Sequence, residues 1–135
     1  MTSFTVLVVD DYEPFRQLTR SVLEDMPGIE ILGEASDGLE AVRKAEELRP
    51  DLILLDIGMP KLNGIQAARS IRKTVPDSKI VFLSQETSPD VVEEAFRLGA
   101  SAYIAKMNAG SELPAAVEAV RQSAQTLKQF VKVTR

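Results

Sequence analysis

Polar side chains with complementary chemistry follow four apolar, strand-like runs of this sequence. They are Asp10 and Asp11 after Phe4–Val9, Asp56 after Leu52–Leu55, Ser84 after residues 80–83, and Lys106 after residues 103–105. In a parallel α/β sheet the carboxyl ends of the strands share one edge, and ligands bind there. The sequence therefore predicts that three carboxylates, a hydroxyl and an ammonium group meet in one crevice. Such a set suits a hard cation and a phosphoryl group.

Each of these residues, taken alone, has an ordinary structural explanation. Asp10 and Asp11 fit a solvated turn before a helix, where negative charge is favourable. Asp56 fits an acidic loop residue, Ser84 fits a turn or a helix cap, and Lys106 fits a solvated strand end. Their joint order along the chain, each after a strand-like run, favours a common site over these separate explanations.

The segment after Asp56 carries two local constraints. Pro60 restricts Met59 to an extended conformation. Asn63-Gly64 predicts a tight turn with a positive φ angle. Together they predict a short, shaped loop over the Asp56 carboxylate.

Composition limits the kinds of site and partner that this chain can have. Its 135 residues are 44% hydrophobic and 27% charged, which is typical of one globular domain. It has no cysteine and no histidine, which excludes disulfides, Cys/His zinc sites and a Ser-His-Asp triad and leaves oxygen ligands for any metal. The net charge of −4 offers no bulk basic surface for nucleic acid. No signal peptide or membrane-spanning run is visible, so we expect a cytoplasmic protein without direct contact to a membrane or nucleic acid.

Strand-like and helix-like segments alternate five times and would position the polar side chains. The predicted strands are Phe4–Val9, residues 29–33, Leu52–Leu55, residues 79–83 and Ala102–Ala105. The predicted helices cover about residues 14–26, 38–49, 64–75 and 89–98, with a fifth starting near Ser111. Asp37 and Ser88 are candidate N-caps, and Pro114 is compatible only with the first turn of the fifth helix. Five βα units with short connections predict a doubly wound, five-stranded parallel sheet with five helices.

Four motifs occur in a fixed order along residues 4–124. They are Val9-Asp10-Asp11, Asp56-Ile57-Gly58-Met59-Pro60 with Asn63-Gly64, Ser84 after a strand, and Tyr103 three residues before Lys106. Each motif alone is weakly specific, but the four in this order resemble the receiver domain of two-component response regulators. The resemblance implies a flavodoxin-like fold for this chain.

The resemblance also implies a reactive site. Asp56 would be the phosphoacceptor and would take its phosphoryl group from the phosphohistidine of a sensor histidine kinase or a phosphotransfer protein. Mg²⁺ or Mn²⁺ would be bound directly by Asp11 and Asp56, through water by Asp10, and by the backbone carbonyl of Gly58. Lys106 would pair with the Asp56 carboxylate and then with the phosphoryl oxygens.

A conformational switch is a further implication of the resemblance. Ser84 would donate a hydrogen bond to the phosphoryl group, and Tyr103 would rotate toward the core into the space that Ser84 leaves. The switch would change the surface of the fourth helix, fifth strand and fifth helix. We expect this surface to govern partner binding or homodimer formation on phosphorylation.

The carboxyl-terminal tail is open to three interpretations. We assign residues 1–124 to the receiver domain and residues 125–135 to a tail whose apolar residues are Leu127, Phe130, Val131 and Val133. This tail would be a helical extension, the stub of a linker, or a surface for self-association.

Two residues depart from the pattern of the family. Met107 follows Lys106 where many receivers have proline, so we expect a trans peptide bond at this position. Gln85 follows Ser84 where the family usually has a small residue, and its side chain would crowd the phosphoryl pocket or hydrogen-bond there.

Two other functions compete with a signalling receiver. One is an enzyme with Asp56 as nucleophile, such as a haloacid-dehalogenase-like phosphatase, but the general acid expected two residues later is replaced by Gly58. We therefore expect that the chain is not an enzyme. The other is the truncated receiver of a transcription regulator with a helix-turn-helix domain, which these residues do not contain.

Overall fold

The computed structural model describes residues 3–134, with the side chains of residues 3–124. The strands are β1 Phe4–Val9, β2 Ile29–Ala35, β3 Leu52–Leu55, β4 Lys79–Ser84 and β5 Ala102–Ala105. The helices are α1 Glu13–Glu24, α2 Gly38–Leu48, α3 Gly64–Thr74, α4 Pro89–Arg97 and α5 Ala109–Thr134, the last preceded by a 3₁₀ turn over Lys106–Asn108. All five predicted strands and helices are present, and β2 is two residues longer than predicted.

The strands form one parallel sheet in the order β2-β1-β3-β4-β5. The chain moves outward from β1 to β2, then crosses to the other side of β1 for β3, β4 and β5. The strand order therefore reverses beside β1, and in such sheets a crevice opens there at the carboxyl ends. This topology confirms the doubly wound, flavodoxin-like sheet.

Helices cover both faces of the sheet, which is why the central strands are apolar without alternation. On one face, Leu7, Ile53 and Phe82 pack with residues of α2, α3 and α4, including Ala45 and Ile71. On the other face, the alternate strand residues pack with α1 and α5 through side chains that include Leu23, Leu113 and Val117. This packing holds each strand in register, so the residues at the carboxyl ends of the strands have defined positions along the crevice edge.

The helix boundaries follow local capping, with two differences from the sequence prediction. Asp37 caps α2 by accepting a hydrogen bond from the N–H of Glu40 at 2.8 Å, as predicted. Ser88 occupies the N-cap position of α4, but its side chain makes no cap hydrogen bond. The restriction of Pro114 to a first turn is wrong, because the 3₁₀ turn leads directly into a helix that starts at Ala109. The helix loses only one hydrogen bond at Pro114, and the buried Leu113 and Val117 hold it on the sheet.

The loop between β3 and α3 also differs from the prediction. Positive φ occurs at Lys61, with φ of 68°, and not at Asn63-Gly64. Asn63 is instead the N-cap of α3 in a reciprocal capping box with Gln66. Gly64 is needed for space, because a Cβ there would lie 2.0 Å from the backbone carbonyl oxygen of Asp56.

Candidate functional site

Pairing of β1 with β3 places two of the acidic residues side by side. Val9 is in register with Leu55, and the N–H of Asp56 donates to the carbonyl of Val9 at 3.0 Å. Asp10, Asp11 and Asp56 each offer a carboxylate oxygen within 4.8 Å of the others. Asp10 and Asp56 are buried and Asp11 is exposed. The structure therefore brings together the three carboxylates that the sequence analysis grouped.

Lys106 lies between two of these carboxylates. Its Nζ is 2.8 Å from Oδ2 of Asp10 and 3.3 Å from Oδ2 of Asp56. The family resemblance implied that Lys106 pairs with Asp56, and the structure adds Asp10 as the nearer partner. The ammonium also stands 4.7 Å from the ring centroid of Phe15, within cation–π range. Burial lowers the pKa of Lys106, but the hydrogen bond to Asp10 and the charges of both carboxylates outweigh it and raise that pKa.

Asp56 is a carboxylate in an unfavourable environment for its charge. It is 4% exposed, and burial is the largest cause that raises its pKa, followed by the charge of Asp10. Lys106 and the N–H of Ile57, which donates to Oδ1 of Asp56 at 2.8 Å, act in the opposite direction. The balance raises the pKa of Asp56 to about 6. Asp56 is therefore ionised at neutral pH, but its charge is unfavourable there. Binding of a positively charged group beside it would lower the free energy of the folded protein.

Ser84 and Tyr103 both form hydrogen bonds with the backbone of Glu86, in the loop after β4. The N–H of Glu86 donates to Oγ of Ser84 at 3.0 Å, and the Tyr103 hydroxyl donates to the carbonyl oxygen of Glu86. Ser84 is buried at the end of β4, and Tyr103 lies on the adjacent β5 with its ring centroid 6.0 Å from that of Phe82. Burial is the main cause that raises the pKa of Tyr103. The connection of the two residues through Glu86 had no signal in the sequence.

A cleft of about 750 Å³ opens above these side chains. Its lining includes Asp11, Asp56, Gly58, Ser84, Gln85 and Lys106. Gln85 is exposed on the wall of the cleft. The side chain of Asp10 is buried, and its Oδ1 accepts a hydrogen bond from the N–H of Tyr12 at 2.9 Å. Asp11, Asp56, Gly58, Ser84 and Lys106 thus line one opening, and the buried Asp10 contacts Lys106.

Beside the cleft is a second groove of about 470 Å³ whose walls are more apolar. Tyr12, Phe15 and Met107 contribute to these walls, and Met107 is 88% exposed. No cis peptide bond occurs in the described part of the chain, so the Lys106–Met107 bond is trans, as predicted.

The donor chemistry of the acidic cluster fits a divalent cation. Its three carboxylates offer hard oxygen ligands at a spacing that one small ion can span, and the exposed Asp11 faces the cleft. Lys106 offsets part of the negative charge without removing the excess. A cation would relieve the remaining repulsion, which is the physical basis for the fit.

Comparison with known proteins assigns the family. The model of the response regulator receiver domain matches residues 6–118. The chain belongs to the receiver domain family of two-component response regulators. The transcriptional regulatory protein LiaR of Bacillus subtilis is 38% identical over 126 residues, which cover 93% of this chain and 60% of LiaR. The response regulator UvrY of Escherichia coli is 36% identical over 115 residues, 85% of this chain and 53% of UvrY.

Solved structures agree with this assignment. The response regulator domain of Thermotoga maritima CheB superposes on this receiver with a TM-score of 0.80 at 37% identity, covering 89% of this chain and 95% of that one. The receiver spans 60% of LiaR and 53% of UvrY, so it matches little more than half of these curated relatives. In the described part of the receiver, none of the helices combines the length and hydropathy needed to cross a bilayer.

Proposed function

We propose that this receiver accepts one phosphoryl group on Asp56 from the phosphohistidine of a sensor histidine kinase or a phosphotransfer protein. The observation that carries the proposal is the position of the Asp56 carboxylate, which lies at the floor of an open cleft next to Lys106 and to the acidic pair Asp10 and Asp11. Mg²⁺ or Mn²⁺ would be the cofactor, and these three carboxylates and the backbone carbonyl of Gly58 would hold it.

The reaction transfers the phosphoryl group between two nucleophiles. A carboxylate oxygen of Asp56 forms a bond to phosphorus, and the bond from phosphorus to the donor imidazole nitrogen breaks, with its electron pair remaining on that nitrogen. The carboxylate is ionised at neutral pH because its pKa is about 6. Repulsion between two anions is the main barrier, and a bound divalent cation would lower it by neutralising phosphoryl charge. Lys106, whose pKa is raised, supplies a second positive charge 3.3 Å from Asp56.

Asp10 and Asp11 have different tasks in this proposal. Both carboxylate oxygens of Asp10 are occupied, one by the N–H of Tyr12 and the other by Lys106. Asp10 therefore orients Lys106, and it would hold the cation through water, as the family resemblance implies. Asp11 is exposed on the cleft and would ligate the cation directly, together with Asp56.

The switch follows from how Glu86 is held. Ser84 accepts a hydrogen bond from the N–H of Glu86, which leaves its own hydroxyl proton to donate to a phosphoryl oxygen. A movement of Ser84 toward Asp56 pulls on Glu86 and on the hydrogen bond that Tyr103 makes to it. Tyr103 then turns inward and changes the α4-β5-α5 surface. We propose that this change governs partner binding and self-association; the apolar tail residues invoked by the sequence analysis lie outside the described side chains.

The proposal concerns the receiver alone. Phosphoacceptance does not make the domain an enzyme with a substrate of its own, and Gly58 offers no general acid for the phosphatase alternative. We assign residues 1–124 to this function and propose a cytoplasmic location without direct nucleic acid binding by this domain. A role in transcription would belong to a longer protein of the LiaR or UvrY kind.

Phosphorylation by acetyl phosphate tests the proposal. With Mg²⁺, intact mass spectrometry should show one added phosphoryl group on wild type and none on Asp56→Asn. The exposed Asp77→Asn is the matched control and should be labelled like wild type. Labelling of Asp56→Asn, or labelling in excess chelator, would refute the assignment; sedimentation of the same samples reports on self-association.

Gln85→Ala should react faster with acetyl phosphate, because Gln85 is an exposed residue of the cleft wall and we expect its side chain to narrow the opening. We expect an acceleration of about threefold, equivalent to less than ~1 kcal/mol in the barrier. Time courses of labelling should be compared with those of Gln122→Ala, a substitution on the exposed face of α5. A slower Gln85→Ala would mean that the amide helps to hold the donor.

A further inference from the structure

The Arg16 side chain links the loop that carries Asp10 and Asp11 to strand β2, and we call this connection the clamp. Arg16, near the start of α1, donates from Nη1 to the backbone carbonyl oxygen of Asp10 at 2.7 Å. The same guanidinium donates from Nε to Oε1 of Glu34 on β2 at 3.0 Å. Both side chains are largely buried, with exposures of 18% and 22%. Because a guanidinium is planar and its donors are rigidly related, it ties the loop to the edge strand in one geometry.

The carbonyl held by Arg16 belongs to the peptide unit that joins Asp10 to Asp11. A peptide unit is planar, so fixing its oxygen also fixes the direction in which the chain enters Asp11. Among the described residues, no hydrogen bond or ion pair orients the Asp11 carboxylate, whereas the Asp10 carboxylate has two partners. The position of Asp11 relative to Asp56 therefore depends on the backbone that Arg16 holds.

Other contacts fix the position of Glu34, the residue to which Arg16 is tied. Its carboxylate also pairs with Arg20, one helical turn after Arg16, and its backbone carbonyl accepts a hydrogen bond from Lys44 of α2. Arg20 is 48% exposed and makes no described contact with the loop. The chain thus contains two arginines on one helix that share the Glu34 carboxylate, and only one of them touches the acidic pair.

We propose that Arg16 is a positioning residue, held by Glu34, that fixes the Asp10–Asp11 peptide and thereby sets the affinity of the carboxylate cluster for a divalent cation. The proposal rests on the cation site of the proposed function. Groups that orient metal ligands from behind commonly change metal affinity by roughly 10–100-fold when they are removed.

Charge and geometry predict opposite effects for the same substitution. Arg16→Met removes a positive charge near three carboxylates, and Coulomb attraction alone would then make cation binding tighter. Loss of the clamp would make binding weaker. Arg16→Lys retains the charge, but a single ammonium cannot reproduce the two directed hydrogen bonds, so the geometric role predicts weaker binding for this variant as well.

Mn²⁺ titration of the unphosphorylated protein, with free ion measured by electron paramagnetic resonance, decides between the two. We expect dissociation constants about tenfold higher for Arg16→Met and Arg16→Lys. The matched control Arg20→Met should stay within about twofold of wild type. In phosphorylation assays, the Arg16 variants should need more Mn²⁺ for half-maximal rate and should approach the wild-type rate at saturating Mn²⁺.

The other outcomes are equally decisive. Unchanged or tighter Mn²⁺ binding by Arg16→Lys, or equal weakening by Arg20→Met, would overturn the positioning role. If thermal melts show that Arg16→Met does not fold, Arg16→Lys carries the test, because it keeps the charge and removes only the directed hydrogen bonds. Wild type that binds Mn²⁺ no better than Asp56→Asn would instead refute the cation site, and with it the proposed function.

Discussion

Asp56→Asn should raise the melting temperature of the metal-free receiver at neutral pH. Burial and the charge of Asp10 raise the pKa of Asp56 from 3.8 to about 6, so the ionised side chain destabilises the folded state. A shift of about two units corresponds to about 3 kcal/mol, or roughly 10 °C for a domain of this size. Asn removes the charge and keeps an oxygen that can accept the N–H of Ile57.

The pH dependence of this difference follows from proton linkage. Between pH 3.8 and about 6 the folded state holds a proton on Asp56 that the unfolded state has already released. The contribution of Asp56 to the free energy of unfolding therefore falls as pH rises through that window. Above the window Asp56 is ionised in both states, and its charge destabilises the fold by the full amount. The advantage of Asp56→Asn should be small at pH 4, grow through this window and reach its full size by pH 7.

Thermal melts at several pH values, with chelator and with excess Mg²⁺, measure the destabilisation by the ionised Asp56 and the stabilisation by bound Mg²⁺. Mg²⁺ should raise the wild-type midpoint by mass action and should raise that of Asp56→Asn less, because the variant lacks a ligand. Asp77→Asn, an exposed acidic substitution, controls for net charge. If metal-free Asp56→Asn melts lower than wild type and Mg²⁺ acts equally on both, the carboxylates do not share one site.

Gly64→Ala should damage both stability and phosphorylation. A Cβ at Gly64 would lie 2.0 Å from the carbonyl oxygen of Asp56 and 2.7 Å from Cα of Ile57, and both are backbone atoms that cannot turn away. Relief requires that the β3–α3 loop move, which should cost about 3 kcal/mol, the upper end of overpacking effects. Because Asp56 moves with its carbonyl, we also expect labelling by acetyl phosphate to fall by about 100-fold.

Gly58→Ala is the matched control for this experiment. Gly58 lies in the same loop, and a Cβ there would meet no atom within 4 Å. Its stability should change by less than about 0.5 kcal/mol. Urea unfolding and labelling of both variants test the prediction, and a Gly64→Ala protein as stable and reactive as Gly58→Ala would show that the close approach does not constrain Asp56.

The amino-acid sequence by itself determined the sheet, the order of its elements and the group of residues at its edge. Strands that are apolar throughout need cover on both faces, and five alternations with helices over a chain of this length favour a parallel, doubly wound arrangement. Since the strand ends of such a sheet share one edge, the sequence predicted that the polar residues after the strands come together there, among them Asp10, Asp56 and Lys106, and the structure brings them together. These inferences needed only periodicity and chain order.

Tertiary structure decided the contacts that depend on distance in three dimensions. Which carboxylate lies nearer to Lys106, the two hydrogen bonds to Glu86, and the close approach of Gly64 to Asp56 have no local signature. The clamp from Arg16 to the Asp10 carbonyl is of the same kind, because it joins a helix to a loop and to an edge strand. Such contacts depend on the position of each helix on the twisted sheet to within about an ångström. Residue types and their spacing do not specify positions with that precision.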